Sequence, residues 1–318
     1  MQSVKIVAES RKMRQVLGEA ESLAPYGDVS VLIGGESGTG KELVARFLHQ
    51  RSPRADRPFV AVNAAAIPDT LLESELFGHA RGAFTGAQFS RKGLVEEADS
   101  GTLFLDEVGD LSPRAQAILL RALQEREYRR VGDASSRRSD FRLVTASHKD
   151  LEAEVAAGRF RHDLLFRLSV ARIHLPPLRE RPEDIVPLSR FFLAARANRL
   201  GVEAKRLTSE AERALTAHHW PGNVRELENE LTQALVRARG AAAIDLGHLT
   251  LARSARPRGL RSVSRAFEKG LLADALARSG GNRTHAARAL GISRQGLYRK
   301  LKRHGFARVA SVAGTDPR

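Results

Sequence analysis

The chain has 318 residues, 42% of them hydrophobic and 28% charged, a composition typical of a soluble protein with about two folded domains. It contains no cysteine, which excludes disulfide bonds and thiolate metal sites. No apolar run approaches the ~18 residues of a membrane-spanning helix, and the N-terminus lacks the apolar stretch of a signal peptide. We therefore expect a cytoplasmic protein without membrane insertion.

The positive charge is concentrated at the C-terminal end. The net charge of the chain is +15, and residues 251–318 carry sixteen lysines and arginines against three acidic residues. The preceding 250 residues are nearly balanced, with 36 basic and 34 acidic side chains. A basic end on a nearly neutral body predicts contact with nucleic acid, although a solvated basic tail would have the same composition.

Strands and helices are predicted to alternate through the first 180 residues. Helices are expected at 11–23 and from Pro113 to Glu127. Short apolar runs predict strands, which fall at 29–33, 58–63, 101–107, 141–147 and 171–175. This order indicates an α/β fold whose parallel sheet is covered on both faces and whose ligands lie at the carboxyl ends of the strands.

Helical patterns alone follow the last predicted strand. The expected organisation is an α/β subdomain at 1–180, a helical subdomain at 181–250, a linker at 251–262, an all-α DNA-binding domain at 263–306 and a disordered tail at 307–318.

The first predicted strand runs into a glycine-rich loop with the pattern Gly-x-x-x-x-Gly-Lys, followed at once by a helix. Glycines allow successive backbone N–H groups to turn around a phosphate, and the helix N-terminus adds partial positive charge. Lys41 is expected to reach the β- and γ-phosphates. Glu42 occupies the position where Ser or Thr usually meets Mg²⁺. The predicted nucleotide-binding residues are Gly35, Glu36, Ser37, Gly38, Thr39, Gly40, Lys41 and Glu42.

Two carboxylates end the third predicted strand. Asp106 there is suited to hold Mg²⁺, and Glu107 is suited to polarise a water for attack on the γ-phosphate. Asn63 ends the neighbouring strand within reach of Glu107, although a simple turn residue is equally consistent with its position.

The segment 72–89 contains a phenylalanine among small residues. Phe84 has Gly82, Ala83, Thr85, Gly86 and Ala87 around it, none large enough to bury it. An aromatic side chain on a glycine-rich loop indicates a contact with another macromolecule, while a packed surface loop remains the alternative.

A helix-turn-helix is predicted near the C-terminus. A short helix over 282–290 is followed by a turn at Gly291, and Ser293 can cap a second helix from Arg294 to His304. Gly296 is unexpected inside that helix, since glycine destabilises helices. The predicted DNA contacts project outward from the second helix and comprise Arg294, Gln295, Tyr298, Arg299, Lys302 and Arg303.

Six motifs in order carry a family resemblance: GESGTGKE, ESELFGHARGAFTGA, GTLFLDEVGDL, RFRHDLLFRL, LPPLRER and WPGNVRELEN. Over residues 7–250 the chain resembles the sigma-54-dependent transcription activators, or bacterial enhancer-binding proteins. Its C-terminal helices resemble the Fis-type DNA-binding domain. The resemblance implies an AAA+ ATPase domain with a helical lid, and GAFTGA at 82–87 implies a loop that contacts sigma-54 RNA polymerase holoenzyme when ATP is turned over.

The resemblance also implies roles for individual residues. Asp106 would coordinate Mg²⁺, Glu107 would activate water, and Asn63 would restrain Glu107. Arg161 and Arg167 resemble arginine fingers supplied by a neighbouring subunit, which implies a ring, typically a hexamer. Arg225 resembles the lid arginine that senses the γ-phosphate, and Glu42 is the usual residue at its position in the family.

Two features depart from the family pattern. His148 stands at the sensor position, where Asn is usual. Either this departure alters ATP hydrolysis, or it is a harmless exchange of one hydrogen-bonding side chain for another. No receiver or ligand-binding domain precedes the ATPase motifs, as in the phage-shock activator subtype, which implies control by a separate inhibitory protein.

We expect an ATP-hydrolysing activator that binds upstream double-stranded DNA and opens sigma-54 promoter complexes. Two alternatives remain: an AAA+ ATPase of replication initiation, and a DNA-binding repressor with impaired hydrolysis. GAFTGA at 82–87 disfavours the first. Lys41, Asp106, Glu107, Arg161 and Arg167 disfavour the second, which His148 keeps open.

Overall fold

The structure is a computed structural model that describes residues 6–84, 87–125, 127–251, 272, 275–276, 279 and 282–303, without the side chains of 124–125 and 302–303. Several predicted features lie outside the described residues, namely Thr85, Gly86, His304, the expected linker after Leu251 and the expected tail at 307–318. The side chains of Lys302 and Arg303 also lie outside the described part of the chain. The chain divides into two compact units, Met1–Leu251 and Ala252–Arg318, each described by itself below.

A five-stranded parallel sheet forms the centre of the first unit. Its strands are β1 (Val31–Gly34), β2 (Phe59–Asn63), β3 (Thr102–Asp106), β4 (Arg142–Ser147) and β5 (Ala171–His174). They lie in the order β2-β3-β4-β1-β5, and every neighbouring pair is parallel. The five expected strands and the α/β fold class are therefore confirmed, and the strand ends differ from expectation by at most two residues.

Helices follow the strands in the expected alternation. In the first unit they are α1 (Arg11–Leu23), α2 (Lys41–Gln50), α3 (Asp69–Phe77), α4 (Leu94–Glu97), α5 (Pro113–Glu125), α6 (Leu151–Ala156), α7 (His162–Leu168), α8 (Ile185–Leu200), α9 (Ser209–Ala217) and α10 (Asn223–Arg237). Short 3-10 turns lie at Ala64–Ala66, Val108–Asp110, Leu178–Glu180, Pro182–Asp184 and Leu246–His248. Among the described residues, none of the helices is long and apolar enough to cross a membrane.

Three short two-stranded ribbons complete the first unit. Gly78–His79 pairs antiparallel with Arg91–Lys92, Glu127–Tyr128 pairs antiparallel with Arg137–Arg138, and Arg206–Leu207 pairs parallel with Ala243–Ile244. The second ribbon corrects the expected end of α5, which stops at Glu125 instead of Glu127. The reason is pairing across the ribbon, where Glu127 accepts a hydrogen bond from Arg138 at 2.8 Å.

The sheet is buried on both faces because alternate strand residues pack in opposite directions. Val31 and Ile33 join a core with α1 and α2, whereas Leu32, between them, joins a core with α3, α5 and α7. A third core forms inside the helical part after the sheet, around the fully buried Trp220. The Trp220 indole donates its N–H to the Leu215 carbonyl at 2.8 Å, which satisfies the one polar atom of that side chain.

Two buried charged side chains hold α1 in place. Arg142 on β4 donates to the carbonyls of Ala24 and Leu23 at 3.1 and 2.8 Å, which caps the C-terminal end of α1. Burial lowers the pKa of this guanidinium to about 10. At the other end of α1, the Asp184 carboxylate accepts the backbone N–H groups of Glu9 and Ser10, both at 2.7 Å, and the Ser10 hydroxyl at 2.8 Å.

The second unit contains two described helices, α11 (Arg283–Ala289) and α12 (Arg294–Arg303). Asn282 caps α11, and the Ser293 hydroxyl accepts the Gly296 N–H at 3.1 Å at the start of α12, as expected. The apolar seam between the helices is the predicted one, built from Ala286, Ala287, Leu290, Ile292, Leu297 and Leu301. A Cβ at position 296 would lie 3.1 Å from the Ser293 hydroxyl oxygen, a tight contact with the group that caps the helix.

The Asp184 cap gives a stability prediction. We expect Asp184→Ala to lower the free energy of unfolding by about 3 kcal/mol, because it leaves two buried N–H groups and a hydroxyl without their acceptor. Asp28→Ala is the matched control, since the Asp28 side chain is 77% exposed and its ion pair with Arg54 is worth at most about 1 kcal/mol. Urea unfolding followed by circular dichroism measures both. Equal losses for the two variants would contradict the assigned role of Asp184.

Candidate nucleotide site and nucleic-acid interface

The glycine-rich loop lies between the end of β1 and the start of α2. Gly38 and Gly40 have φ angles of 78° and 104°, in the left-handed region that favours glycine. At Gly38 glycine is also required by space, because a Cβ there would lie 2.4 Å from the Gly222 carbonyl oxygen. The Val224 N–H donates to the Gly38 carbonyl at 3.0 Å. The loop is therefore enclosed between the sheet and the turn that precedes α10.

Lys41 is buried at the first position of α2. Its ammonium donates to the Gly35 and Glu36 carbonyls at 3.0 and 3.4 Å and lies 3.6 Å from Glu107 Oε1. Glu42 faces the other way: its carboxylate accepts the Arg46 guanidinium at 2.7 and 2.9 Å on the exposed side of α2. The Glu42 side chain is thus engaged on the helix surface, which leaves its backbone N–H, in the first turn of α2, for an anion.

Asp106 and Glu107 end β3 beside this loop. Asp106 Oδ1 accepts the Glu107 N–H at 2.9 Å, and Glu107 has a left-handed φ of 55°. Such a backbone conformation is costly for a residue other than glycine and is concentrated at functional sites. Burial, followed by the negative charge of Glu107, raises the pKa of Asp106.

Glu107 is held by His148, at the end of β4. The His148 backbone N–H donates to Glu107 Oε2 at 3.1 Å, and His148 Nδ1 lies 2.6 Å from the same oxygen. Burial alone would raise the pKa of Glu107, but the hydrogen bond from His148 and the positive charge of Lys41 outweigh burial and lower it. The carboxylate is therefore ionised and fixed between a lysine and an imidazole.

Asn63 does not make the expected contact with Glu107 in this structure. Its side-chain oxygen accepts the Ala65 N–H at 3.0 Å and caps the 3-10 turn that follows β2. The turn-residue interpretation therefore describes Asn63 here, because the nearby backbone N–H competes for the same amide oxygen.

Polar side chains from α10 of the helical subdomain, called the lid, and from the 3-10 turn Leu178–Glu180 before it contact the glycine-rich loop between β1 and α2. Arg225 donates to the Ser37 hydroxyl at 3.2 Å. Asn223 donates to Glu36 Oε2 at 3.1 Å and to the Ser37 carbonyl at 3.0 Å, and Arg179 binds both Glu36 oxygens at 2.7 and 2.9 Å. These hydrogen bonds, that of Arg179 first, lower the pKa of Glu36 to about 2. Asn223 and Arg179 stand inside the motifs WPGNVRELEN and LPPLRER, but no pattern singled them out.

The two candidate finger arginines lie at opposite ends of α7. Arg161 precedes α7 and pairs with Asp163 through contacts of 3.0 and 2.7 Å. Arg167 is exposed in the last turn of α7 and lines a cavity of about 150 Å³ with Ser30 and Phe141, which precede β1 and β4. That is the edge of the sheet where strands begin, opposite the edge that carries Glu107.

The candidate partner loop is based on a short ribbon formed by Gly78–His79 and Arg91–Lys92. Phe84 is 43% exposed and packs edge-on against the His79 ring, with 5.0 Å between ring centroids. The loop is closed by the Gly82 N–H, which donates to the Ala87 carbonyl at 2.8 Å. Phe89, not singled out by the sequence pattern, is 80% exposed. Two aromatic side chains are therefore presented to solvent beside Gly82, Ala83 and Ala87; Thr85 and Gly86 lie outside the described residues.

The candidate nucleic-acid interface is the outer face of α12. Arg294, Gln295, Tyr298 and Arg299 are exposed there and line a concavity of about 500 Å³ together with Arg283 from α11. Arg283 was not among the predicted contacts, since it belongs to the first helix. Lys302 and Arg303 continue the same helix, and their side chains lie outside the described part of the chain.

Three family profiles match the chain. They are described as a sigma-54 interaction domain at residues 6–174, an AAA+ ATPase lid domain at 179–262 and a bacterial regulatory protein of the Fis family at 264–304.

Among curated relatives, the transcriptional regulatory protein ZraR of Klebsiella oxytoca is 50% identical over 305 residues, covering 94% of this chain and 68% of that protein. FlbD of Caulobacter vibrioides is 45% identical over 325 residues, covering 96% and 71%. The DNA-binding transcriptional regulator NtrC of Escherichia coli K12 is 47% identical over 330 residues, covering 95% and 70%.

Solved structures give the same relationship. The crystal structure of NtrX from Brucella abortus in complex with ADP is similar with a TM-score of 0.73 and 36% identity, covering 96% of this chain and 70% of that one. The complex of NtrX with ATP gives 0.72 and 37%, with 95% and 69% covered. By its profiles and relatives, the chain belongs to the family of sigma-54-dependent transcription activators, with an AAA+ ATPase domain, a helical lid and a Fis-type DNA-binding helix-turn-helix.

Proposed function

We propose that this protein hydrolyses ATP and uses that energy to remodel closed complexes of sigma-54 RNA polymerase into open complexes. Its helix-turn-helix would hold it at upstream double-stranded DNA. The observation that carries the proposal is the placement of Glu107 at the end of β3, 3.6 Å from the buried Lys41 ammonium of the phosphate loop. The NtrX complexes with ATP and ADP support a nucleotide as the ligand of this loop.

In the proposed site, the loop from Gly35 to Gly40 binds phosphate through its backbone and Lys41 supplies positive charge. Glu107, already ionised, accepts the proton of the attacking water. His148 holds Glu107 in place, and Arg225 reaches the γ-phosphate from the lid. A second copy in a ring, by family a hexamer, would bring Arg161 and Arg167 to this site. The position of Arg167 at the other edge of the sheet supports an action on a neighbouring subunit.

Asp106 fits the magnesium ion that such a reaction needs. Its carboxyl group is half-buried at the end of β3, and burial together with the adjacent Glu107 raises its pKa, so the ionised form lacks full compensation within the chain. A divalent cation supplies that compensation. Bound there, Mg²⁺ would neutralise phosphate charge as it develops. The Glu42 carboxylate is paired with Arg46 and does not take part.

Two alternative functions stand beside this proposal. Replication initiation is disfavoured by the match to the sigma-54 interaction domain, which spans residues 6–174. A repressor without hydrolysis would retain nucleotide and DNA binding, so only a measured turnover of ATP distinguishes it from an activator.

The general base gives a direct test of hydrolysis. We expect Glu107→Gln to lower kcat for ATP by about 10²- to 10⁴-fold, because an amide cannot accept the proton of water. Binding of a fluorescent ATP analogue should persist. Glu42→Gln is the matched control and should retain kcat within about twofold, since that carboxylate faces Arg46. Phosphate release measures turnover; equal activity of wild type and Glu107→Gln would contradict the assignment.

The loop at 82–87 gives a test of coupling. We expect Phe84→Ala to retain ATP hydrolysis and to abolish open-complex formation at a sigma-54 promoter, because the ring is exposed and touches His79 but none of the phosphate-loop residues. Tyr26→Ala, which removes another exposed aromatic, should retain both activities. Permanganate footprinting on promoter DNA reports opening. A fully active Phe84→Ala protein would remove the loop from the proposal.

The outer face of α12 gives a test of DNA binding. We expect Arg299→Ala to weaken binding to a selected upstream site and, where the guanidinium binds a phosphate, to reduce the slope of log K against log salt by about 1. Arg288→Ala is the control, because Arg288 is exposed on α11 and does not line the concavity of α12. Fluorescence anisotropy between 50 and 200 mM salt, roughly, measures both. Equal affinities of the two variants would exclude this face.

A further inference from the structure

Three metal-ligating side chains converge beside the phosphate loop. Glu107, Asp110 and His148 each offer a ligand atom, and these atoms lie within 4.8 Å of one another. Glu107 and Asp110 come from the turn after β3, and His148 follows β4, the adjacent strand. Asp110 has no part in the proposed hydrolysis and was not predicted as a site residue. Its Oδ2 atom lies 3.8 Å from His148 Nδ1.

The backbone is shaped to bring these groups together. Glu107 is in the left-handed conformation, which turns the chain sharply into the 3-10 turn that ends at Asp110. A Cβ at Gly109 would lie 2.6 Å from the Ser147 hydroxyl oxygen, so the turn approaches the end of β4 as closely as glycine permits. The turn that carries Glu107 and Asp110 is thus packed against Ser147, the residue that precedes His148.

In both carboxylates, one oxygen faces a lysine and the other faces the His148 imidazole. Glu107 Oε1 lies 3.6 Å from Lys41, and Glu107 Oε2 lies 2.6 Å from His148 Nδ1. Asp110 Oδ1 lies 2.7 Å from Lys149, while Oδ2 is the oxygen near His148. One oxygen of each carboxylate is thus engaged by a lysine, and the other remains directed at the imidazole.

We propose that Glu107, Asp110 and His148 form a binding site for a divalent transition-metal cation of the Zn²⁺ type. One imidazole nitrogen and two carboxylate oxygens are a common three-ligand set for zinc, with a fourth position open to water. Bonds of about 2.0–2.2 Å place such ligands roughly 3.2–3.6 Å apart. The observed separations are 2.6 and 3.8 Å from His148 Nδ1, and all three ligand atoms lie within 4.8 Å of one another, so binding requires the side chains to shift.

The proton balance of binding is simple. A carboxylate oxygen at 2.6 Å from Nδ1 is an acceptor, so Nδ1 carries a proton. The metal takes the place of that proton, which is released to water. An ion can reach the site, because His148 lines an open cavity of about 530 Å³ and its side chain is 39% exposed.

The three ligands Glu107, Asp110 and His148 discriminate between cations. Mg²⁺ prefers oxygen ligands in octahedral geometry and is bound weakly by imidazole, whereas zinc and related ions accept both donor types. Asparagine at position 148 would offer an amide oxygen but no imidazole nitrogen. The transition-metal site therefore depends on the imidazole of His148.

Occupancy would inhibit the reaction. A metal on Glu107 occupies the lone pair that accepts the proton of water, so hydrolysis stops while ATP binding continues. This consequence rests on the proposed function, whereas binding of the metal does not.

Metal binding is tested first, on untagged protein freed of nucleotide and metal. Co²⁺ serves as the probe, because its visible absorption increases strongly when it enters a site of four or five ligands. We expect one equivalent to bind and to be displaced by Zn²⁺ but not by Mg²⁺. His148→Asn and Asp110→Asn should each weaken binding by more than about tenfold, since losing a group that merely orients a ligand already costs about 10- to 100-fold. His219→Asn, an exposed lid histidine, is the matched control and should bind as wild type does.

Inhibition is tested second, as the ratio of ATPase rates with and without Zn²⁺ at constant excess Mg²⁺. At the Zn²⁺ concentration that lowers the ratio about tenfold for wild type and His219→Asn, the ratio should fall by less than about twofold for Asp110→Asn, because a more than tenfold loss of affinity leaves that site less than half occupied. Absence of stoichiometric Co²⁺ binding, or equal binding by wild type, His148→Asn and Asp110→Asn, would overturn the site. Binding without inhibition would overturn only the regulatory consequence and leave the hydrolysis proposal to its own test.

Discussion

The contact between the phosphate loop and the lid is the constraint on which the rest of the structure depends. The backbone of Gly38 and the turn at Gly222 are so close that any side chain at position 38 would collide with a carbonyl oxygen. Hydrogen bonds from Asn223 and Val224 then join the same two segments. The neighbouring segments fix the shape of this glycine-rich loop. The entropic cost of ordering the loop is therefore met during folding and does not reduce the affinity for a ligand.

This arrangement determines where charge is placed. Lys41 is buried under the loop, and a buried ammonium needs acceptors and a counter-charge. The Gly35 and Glu36 carbonyls and the Glu107 carboxylate supply them. Glu36 is in turn bound by Arg179 from the lid side. The phosphate loop therefore carries a chain of alternating charges that extends from the sheet to the lid, and displacement of one member changes the balance of the others.

The fold was predictable because its signals are periodic and local. Apolar runs gave all five strands, and alternate residues such as Leu32 and Ile33 pack on opposite faces as a buried parallel sheet requires. The N-cap of α12 at Ser293 was equally readable. The predicted end of α5 was wrong. The helix stops early because Glu127 pairs across a short ribbon with Arg138, which lies eleven residues further along the chain.

The sequence indicated candidate site residues but not their contacts. Motif spacing identified Lys41 and Glu107, because the backbone chemistry of a phosphate loop tolerates few sequences. It did not show that Asn63 caps its own turn, since an amide oxygen takes the nearest N–H that geometry offers. Arg179 and Asp110 were missed because their partners are distant in sequence, and side-chain pairing across a fold leaves no periodic signal.

The state of Glu107 links these observations. An ionised carboxylate held by both Lys41 and His148 is a poor base until both of these contacts are released, because each stabilises the charge that proton transfer would remove. A nucleotide competes for Lys41, since its phosphates are stronger acceptors than carbonyl groups. The contact with His148 is not relieved in that way, because the imidazole and its backbone N–H belong to a strand end fixed in the sheet. In the proposed reaction, binding of nucleotide would therefore free one side of the carboxylate only, and Glu107 would still have to leave His148 before it accepts a proton.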